Sequence, residues 1–281
     1  ISTLGGDLET QEFTVQVDDK AFSLLFDGLY SDKEQSVIRE LSSNALDAHV
    51  AAGVPEKPFT VIIPTYLNPV FSVRDYGISL DHDDVMHMYS TVFQSSKQQS
   101  NDMVGCFGLG SKSPFAYTDS FTAYAYKDGV KRTYLVGLNA KRVPTITFLG
   151  AEDSTEPTGF EVSFPVKDHD CTKFETAARR VFAGFDVAPE TNITYDAPTV
   201  ALSGENWTIY RTTDHQYGFT GKAYIRQGCV LYPIDDLRNV LEVSYRGTDC
   251  YIVIDVPIGT VEVSASRESL SMDDRTEREV Q

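Results

Sequence analysis

The chain has 281 residues, with 24 Lys and Arg against 41 Asp and Glu, so its net charge is −17 when the histidines are neutral. This length predicts one large domain or two ordinary ones. A hydrophobic content of 41% excludes a disordered chain, and no apolar run approaches the roughly 20 residues of a membrane helix. Because so acidic a protein repels phosphates at long range, direct binding of DNA or RNA is not expected.

Cysteine usage and the chain ends predict the compartment. The four cysteines, Cys106, Cys171, Cys229 and Cys250, form no CxxC pair, which favours free thiols in a reducing compartment. The sequence begins at Ile1 without a signal-peptide pattern and ends in a charged run at 273–281. We therefore expect a processed or truncated part of a longer cytoplasmic protein, with peripheral membrane association as an open alternative.

Apolar periodicity and turn residues predict the following elements in chain order. They are strands at 12–17 and 22–29, a helix at 32–52, strands at 59–64 and 70–74, a short helix at 81–90, a loop at 95–102, a glycine cluster at 105–110, and strands at 121–126, 133–138, 145–149 and 158–166. A polar stretch at 167–170 predicts a domain boundary, so the domains are 1–166 and 167–281. The second domain is predicted to hold a helix at 173–182 and strands at 207–212, 223–225, 251–256 and 260–265.

Three polar residues of the first helix, Glu40, Asn44 and Asp47, follow one another at i, i+4 and i+7. At about 100° per residue they share one stripe roughly 60° wide. The Asn44 oxygen suits Mg²⁺, and Glu40 could orient and deprotonate a water molecule. The alternative is the solvated face of an amphipathic helix.

An Asp-x-Gly turn, Asp75 to Gly77, follows the apolar strand at 70–74. One interpretation is simply a turn that connects two elements. The other is that Asp75 accepts a hydrogen bond from an exocyclic amine such as that of adenine, while Gly77 lets the backbone approach the ring.

A glycine-rich segment provides Gly105, Gly108 and Gly110, followed by Lys112 and Ser113. Clustered backbone N–H groups at a helix start favour an anion. A P-loop is excluded because its lysine would come one residue earlier, after a hydrophobic strand. A Rossmann fingerprint is excluded by the G-x-x-G-x-G order. The remaining interpretation is a loop that closes over phosphates and leads into a short helix.

Together these segments resemble the GHKL superfamily of ATPases, whose ATP-binding core is named the Bergerat fold. The E-x-x-x-N-x-x-D, D-x-G-x-G and G-x-x-G-x-G patterns match in order, and Thr158-Gly159 approximates the last motif. Ser79 stands where the second pattern usually has its second Gly. The resemblance implies an α+β fold, namely a Bergerat-type α/β sandwich with an ATP site under a lid, followed by a smaller α+β transducer-like domain.

The resemblance implies ATP and Mg²⁺ as ligands and gives roles to individual positions. Asn44 would bind Mg²⁺, Glu40 would be the catalytic base, and Asp75 would bind the adenine amine. The residues assigned to nucleotide binding are Asn44, Asp47, Asp75, Gly77, Gly105, Gly108, Leu109, Gly110, Lys112, Ser113 and Thr158. Two further phosphate contacts are Lys97 and Arg267. Their alternatives are a solvated side chain for Lys97 and an ion pair with Glu268 or Asp273 for Arg267.

A narrower resemblance is to the bacteriophage RIIA proteins, which are associated with protection from prophage-induced early lysis. It rests on 89–97, 105–121 and 263–270 and implies a location in the host cytoplasm. The predicted function is an ATPase of weak activity whose closure is a conformational or dimerisation switch, with a homodimer or larger assembly and an unknown protein partner. A non-hydrolysing nucleotide-binding module and a kinase are the alternatives.

Overall fold

The computed structural model describes residues 30–90, 110–140, 142–194, 198–211, 219, 222–234, 250–264 and 268–270. The strands predicted at 12–17 and 22–29 and the loop predicted at 95–102 lie outside these residues. No helix in the described part of the chain is long and apolar enough to cross a membrane.

The helix that carries the polar stripe is α1 (Lys33–Ala51), which confirms the helix predicted at 32–52. Its N-cap is Asp32, whose side chain accepts the backbone N–H of Gln35 at 3.0 Å. This bond satisfies one of the N–H groups that a helix start leaves unpaired. Just beyond the helix, Gly53 adopts a φ of +73°, the left-handed conformation that commonly ends a helix.

A seven-stranded sheet lies beside α1. Its strands are β1 (Thr60–Ile62), β2 (Val70–Arg74), β3 (Ser120–Lys127), β4 (Val130–Leu138), β5 (Pro144–Asp153), β6 (Gly159–Pro165) and β7 (Glu190–Thr191). They lie in the order β5-β4-β3-β6-β2-β1-β7. Neighbours are antiparallel except β1 and β7. Arg74, the last residue of β2, pairs with Glu161, near the start of β6. The end of β2 and the start of β6 therefore lie side by side.

The other helical segments complete this unit. They are α2 (His82–Ser90), a 3₁₀ helix (Gly110–Ala116), a short 3₁₀ turn (Asp168–Asp170) and α3 (Cys171–Phe182). Phe174 of α3 packs against Phe71 of β2 and Phe164 of β6, with ring centroids 5.2 and 6.2 Å apart. These aromatic side chains share one buried core with the apolar face of α1, and burial of that face stabilises the helix more than its intrinsic propensity does.

The second sheet contains β8 (Thr199–Ser203), β9 (Trp207–Arg211), β10 (Ala223–Gln227), β11 (Val230–Ile234) and β12 (Cys250–Val256), in the order β11-β10-β12-β9-β8. Its β10–β11 turn reaches the first unit, since Cys229, Val230 and Tyr232 are buried in the core of α1 and α3. The Ser43 hydroxyl and the Cys229 thiol lie 3.4 Å apart. The second sheet therefore contacts the helix that carries the polar stripe, at a residue next to Asn44.

The strand predicted at 260–265 is wrong for the residues that the structure describes there. They form a turn followed by one isolated bridge between Val263 and Leu270. The Gln227 side-chain oxygen accepts the N–H groups of Gly259 and Val261 at 3.1 and 3.3 Å, so part of this backbone bonds to a side chain rather than to a strand.

Strands β7, β8 and β11 were not predicted. Every residue of β8 is exposed, so β8 has no buried face, unlike the half-buried strand that an alternating pattern indicates. Pro233 lies in β11, at the edge of the sheet, where a residue without an N–H is tolerated. The division at residue 166 stays a prediction; α3 and β7, which follow it, pack with the first sheet.

Candidate functional site

The polar stripe of α1 lies in a largely buried environment. Glu40 and Asp47 are each 5% exposed, and Asn44 is half-buried, so the stripe is not the solvated face of an amphipathic helix. Arg39, 4% exposed, places its Nε 3.3 Å from Glu40 Oε1. A buried carboxylate is costly without such a partner, and this contact also restricts the orientation of Glu40.

The last glycine of the glycine-rich segment meets this stripe. A Cβ built on Gly110 would lie 3.0 Å from Glu40 Oε2 and 3.4 Å from the Asn44 amide nitrogen. The 3.0 Å separation is tighter than ordinary van der Waals contact, so glycine allows the closest approach of the two segments. Two motifs that are far apart in the sequence therefore lie side by side.

The 3₁₀ helix that begins at Gly110 carries the predicted lysine and serine. Lys112 is 2% exposed and donates to Ser111 Oγ at 3.3 Å. Burial lowers the pKa of Lys112 to about 8, so its ammonium group is still mostly protonated at neutral pH. Ser113 is fully buried, and its hydroxyl has no hydrogen-bond partner among the described residues. A buried hydroxyl in this state can accept or donate a bond to a ligand.

The Asp-x-Gly turn lies at the end of β2. Asp75 is 6% exposed, and its Oδ1 accepts the backbone N–H of Gly77 at 3.0 Å. Its own N–H donates to the Phe160 carbonyl at 2.9 Å. Burial raises the pKa of Asp75 to about 7, although the Gly77 bond and the charge of Arg74 act in the opposite direction. This carboxyl group therefore titrates near neutral pH.

Two glycines allow the backbone to pass closely around Asp75. A Cβ on Gly77 would lie 2.2 Å from the Ala48 carbonyl oxygen of α1. Gly159 has a φ of +151°, and a Cβ there would lie 2.1 Å from the Asp75 carbonyl oxygen. No side chain larger than hydrogen fits either position without movement of the main chain. The predicted Thr158 precedes Gly159 directly and is exposed.

Ser79, which replaces a glycine of the second pattern, is 8% exposed, and its hydroxyl has no partner among the residues described. Its presence does not open the turn, since Gly77 still packs on α1. Several predicted site residues lie outside the described part of the chain, namely Gly105, Gly108, Leu109, Lys97 and Arg267.

Four residues with structural roles at the site were missed by sequence reasoning. Arg39 could have been noticed as a charged residue directly before Glu40, whereas His49, Arg74 and Glu268 have no local signal. The Arg74 guanidinium stacks over the Tyr126 ring at 3.8 Å and donates to the Pro157 carbonyl at 2.6 Å, which secures the loop before β6. His49 and Glu268 each fix one end of α1, as described below.

The mixed sheets and few helices form an α+β fold that resembles the GHKL ATPase fold, as predicted. The ATPase region of Saccharomyces cerevisiae topoisomerase II matches with a TM-score of 0.56 at 14% identity, covering 83% of this chain and 76% of that chain. A second structure of that region, bound to ICRF-187 (dexrazoxane), matches with a TM-score of 0.56 at 13% identity, covering 84% and 77%. At these identities the likeness is one of fold.

The sequence is also similar to the chaperone protein HtpG. The Rickettsia rickettsii (strain Sheila Smith) protein is 28% identical over 150 residues, 45% of this chain and 24% of the chaperone. The Frankia casuarinae protein is 29% identical over 146 residues, 43% and 22% of the two chains. The chain thus spans about a quarter of the length of the curated relatives that it matches. No protein-family profile matches it. HtpG and the topoisomerase II ATPase region are both GHKL members.

Proposed function

We propose that this protein binds ATP with Mg²⁺ and hydrolyses it slowly, and that nucleotide binding acts as a conformational or dimerisation switch. The observation that carries the proposal is the approach of Gly110 to Glu40 and Asn44. This approach brings the Glu40 carboxylate and the Asn44 carboxamide close to the start of the 3₁₀ helix. Phosphate groups would bind to the N–H groups at that helix start, beside a carboxylate that acts as the general base.

The base of the nucleotide would bind at the Asp75 turn. Asp75 Oδ1 is engaged with Gly77, which leaves Oδ2 as the acceptor for the exocyclic amine of adenine. Thr158, exposed just before Gly159, would support that contact through its hydroxyl or a water molecule. Because Gly77 has no Cβ, the turn packs close to α1. A nucleotide base bound at Asp75 would therefore lie beside the polar stripe of α1.

The phosphates would bind at the other end of the stripe. Lys112 and Ser113 supply an ammonium group and a buried hydroxyl, and Asn44 supplies an oxygen ligand for Mg²⁺. Among the described residues there is no cluster of three His, Cys, Asp or Glu side chains able to hold a metal ion. Asn44 together with phosphate oxygens is the expected ligand set, because Mg²⁺ usually keeps several waters and binds through few protein groups. When bound, the ion supplies positive charge that offsets the triphosphate.

Glu40 is the proposed general base, oriented by Arg39. The alternative, a non-hydrolysing module that acts by occupying a partner, shares the binding site but needs no base at this position.

The cellular role is proposed from resemblance to the bacteriophage RIIA proteins, namely protection from prophage-induced early lysis in the host cytoplasm, through an unidentified protein partner. The GHKL resemblance likewise supports a homodimer or larger assembly. No direct contact with nucleic acid is proposed, since the net charge of −17 opposes it.

Calorimetric titration of ATP into the protein, with and without Mg²⁺, tests the proposal. We expect saturable binding that is stronger in the presence of Mg²⁺. If ATP does not bind under either condition, the proposed function is wrong.

A further inference from the structure

His49, in the last turn of α1, connects the helix to the Asp75 turn. It is fully buried. Its Nε2 accepts the backbone N–H of Tyr76 at 2.7 Å, and its Nδ1 lies 2.8 Å from the Lys57 carbonyl oxygen. The ring therefore joins the helix to the turn on one side and to the segment before β1 on the other.

The two contacts determine the state of the ring. A backbone N–H can only donate, so Nε2 must be unprotonated, and a carbonyl can only accept, so Nδ1 must carry the proton. His49 is therefore neutral with its proton on Nδ1. Burial lowers the pKa of His49, and the charge of Lys57 acts in the same direction although the Lys57 carbonyl opposes it.

The bond to Tyr76 reinforces two backbone contacts between the same segments. Gly77 packs directly on the Ala48 carbonyl, and the Ile78 N–H points at the same oxygen at 3.4 Å. Asp75 immediately precedes this set of contacts. Its carboxyl group can keep a constant position relative to the stripe on α1 only while the turn stays on the helix.

We propose that His49 is a positioning residue for the base end of the nucleotide site: through the Tyr76 N–H it holds the Asp75 carboxyl group where an exocyclic amine can donate to it. The proposal rests on the proposed function. His49 itself does not touch the ligand. His49 therefore affects the affinity for the adenine base and does not affect phosphate binding at Gly110 and Lys112.

Two substitutions each preserve one of the two hydrogen bonds that the His49 ring makes. In His49→Gln the amide oxygen can take the place of Nε2 and still accept from Tyr76. In His49→Asn the amide nitrogen can take the place of Nδ1 and still donate to Lys57, but the side chain is too short to reach Tyr76. Both variants bury one amide, so they form a matched pair in polarity.

The measurement is separate titration of adenosine and of inorganic tripolyphosphate with Mg²⁺ into the wild-type protein and both variants. We expect His49→Gln to bind adenosine within about twofold of wild type and His49→Asn to lose about tenfold, the effect of one buried hydrogen bond. Tripolyphosphate affinity should not change. In ATP turnover, His49→Asn should raise KM and leave kcat unchanged.

Equal adenosine affinity of the two folded variants overturns the proposal, and so does an equal loss of both ligands. If His49→Asn does not fold, His49→Gln decides, because an adenosine affinity tenfold or more below wild type contradicts the proposal. If wild type binds neither adenosine nor ATP, the proposed function fails. In that case, hydrogen exchange of the Tyr76 amide still tests whether His49 holds the turn on α1. Failure of the proposed function can therefore be distinguished from failure of the His49 proposal.

Discussion

Glu268 accepts the backbone N–H of Asp32, the N-cap of α1, at 3.0 Å across 236 residues of sequence. The same carboxylate accepts the Ser31 N–H and the Ser36 hydroxyl, each at 3.0 Å. A carboxylate in this position complements the positive end of the helix dipole. Burial raises the pKa of Glu268, but the bonds from Asp32 and Ser31 outweigh it and leave the pKa below its usual value.

The first prediction is that Glu268→Ala destabilises the protein by about 1–3 kcal/mol, since several N–H and O–H donors lose a charged acceptor. Because the folded-state pKa is depressed, this contribution is complete above the ordinary pKa of 4.5 and is lost as the pH falls through the lower folded value. Urea unfolding at neutral and acidic pH measures it. Ser269→Ala, at an exposed neighbouring position, is the control, and an equal loss in both variants contradicts the prediction.

The second prediction concerns the base end of the site. Asp75→Asn should abolish measurable nucleotide binding or weaken it by about 10- to 100-fold, because one charged acceptor of the amine is replaced by a neutral amide. The fold should survive, since Asn retains an oxygen for the Gly77 N–H. Calorimetry with Mg·ATP measures the affinity, and thermal unfolding checks the fold. Normal binding by this variant shows that the base does not bind at Asp75.

The third prediction separates binding from hydrolysis. Glu40→Gln keeps a hydrogen-bond acceptor for Arg39 but removes the base, so ATP affinity should stay near the wild-type value. Phosphate release should fall by about 10²- to 10⁴-fold, the usual contribution of a general base. Glu40→Ala should have the same effect on turnover. Unchanged phosphate release removes the base role, and undetectable release by the wild-type protein favours the non-hydrolysing alternative.

The fourth prediction tests the contact between the glycine-rich segment and α1. Gly110→Ala places a methyl group 3.0 Å from Glu40 Oε2, and Glu40 is buried and paired with Arg39, so it has little room to move. Turnover should fall by about tenfold or more, since small displacements of reacting groups are costly. Gly137→Ala on β4, where the nearest atom is an ordinary 3.4 Å away, is the matched control and should leave turnover unchanged.

The fifth prediction is that adenosine and tripolyphosphate, titrated separately, lose affinity on opposite sides of neutral pH. Below the Asp75 pKa of about 7 the carboxyl group is protonated, so adenosine affinity should fall about tenfold per pH unit. Above the Lys112 pKa of about 8 the ammonium loses its proton, so tripolyphosphate affinity should decline. Adenosine affinity that is constant from pH 5 to 7, or tripolyphosphate affinity that is constant above pH 8, contradicts the respective assignment.

The raised pKa of Asp75 also predicts how stability varies with pH in the protein without ligand. Between the ordinary value of 3.8 and about 7, the folded chain binds a proton that the unfolded chain has released. The contribution of Asp75 to the free energy of unfolding is therefore greatest below pH 3.8 and falls as the pH rises from 3.8 to about 7. Asp75→Asn should remove this part of the dependence, which unfolding measured from pH 4 to pH 7 would show.

The sequence alone determined the features that depend on local pattern. The length of α1, the stripe of Glu40, Asn44 and Asp47, and strands such as β2 follow from periodicity and capping, which act over a few residues. The α+β class was implied by the resemblance that the motifs support. Strand β8 was not predicted, and none of its five residues is buried.

Only the tertiary structure determined which of these features meet. Gly110 lies against Glu40, His49 bonds to the Tyr76 N–H, and Glu268 caps α1, yet no spacing rule connects residues so distant in sequence. The His49 contact arises because α1 packs, through a shared core, on the sheet that contains β2, and the other two arise because the 3₁₀ helix at Gly110 and the segment at Glu268 lie against α1. Close packing then brings the glycines and buried polar groups within bonding distance, and those long-range contacts define the geometry of the site.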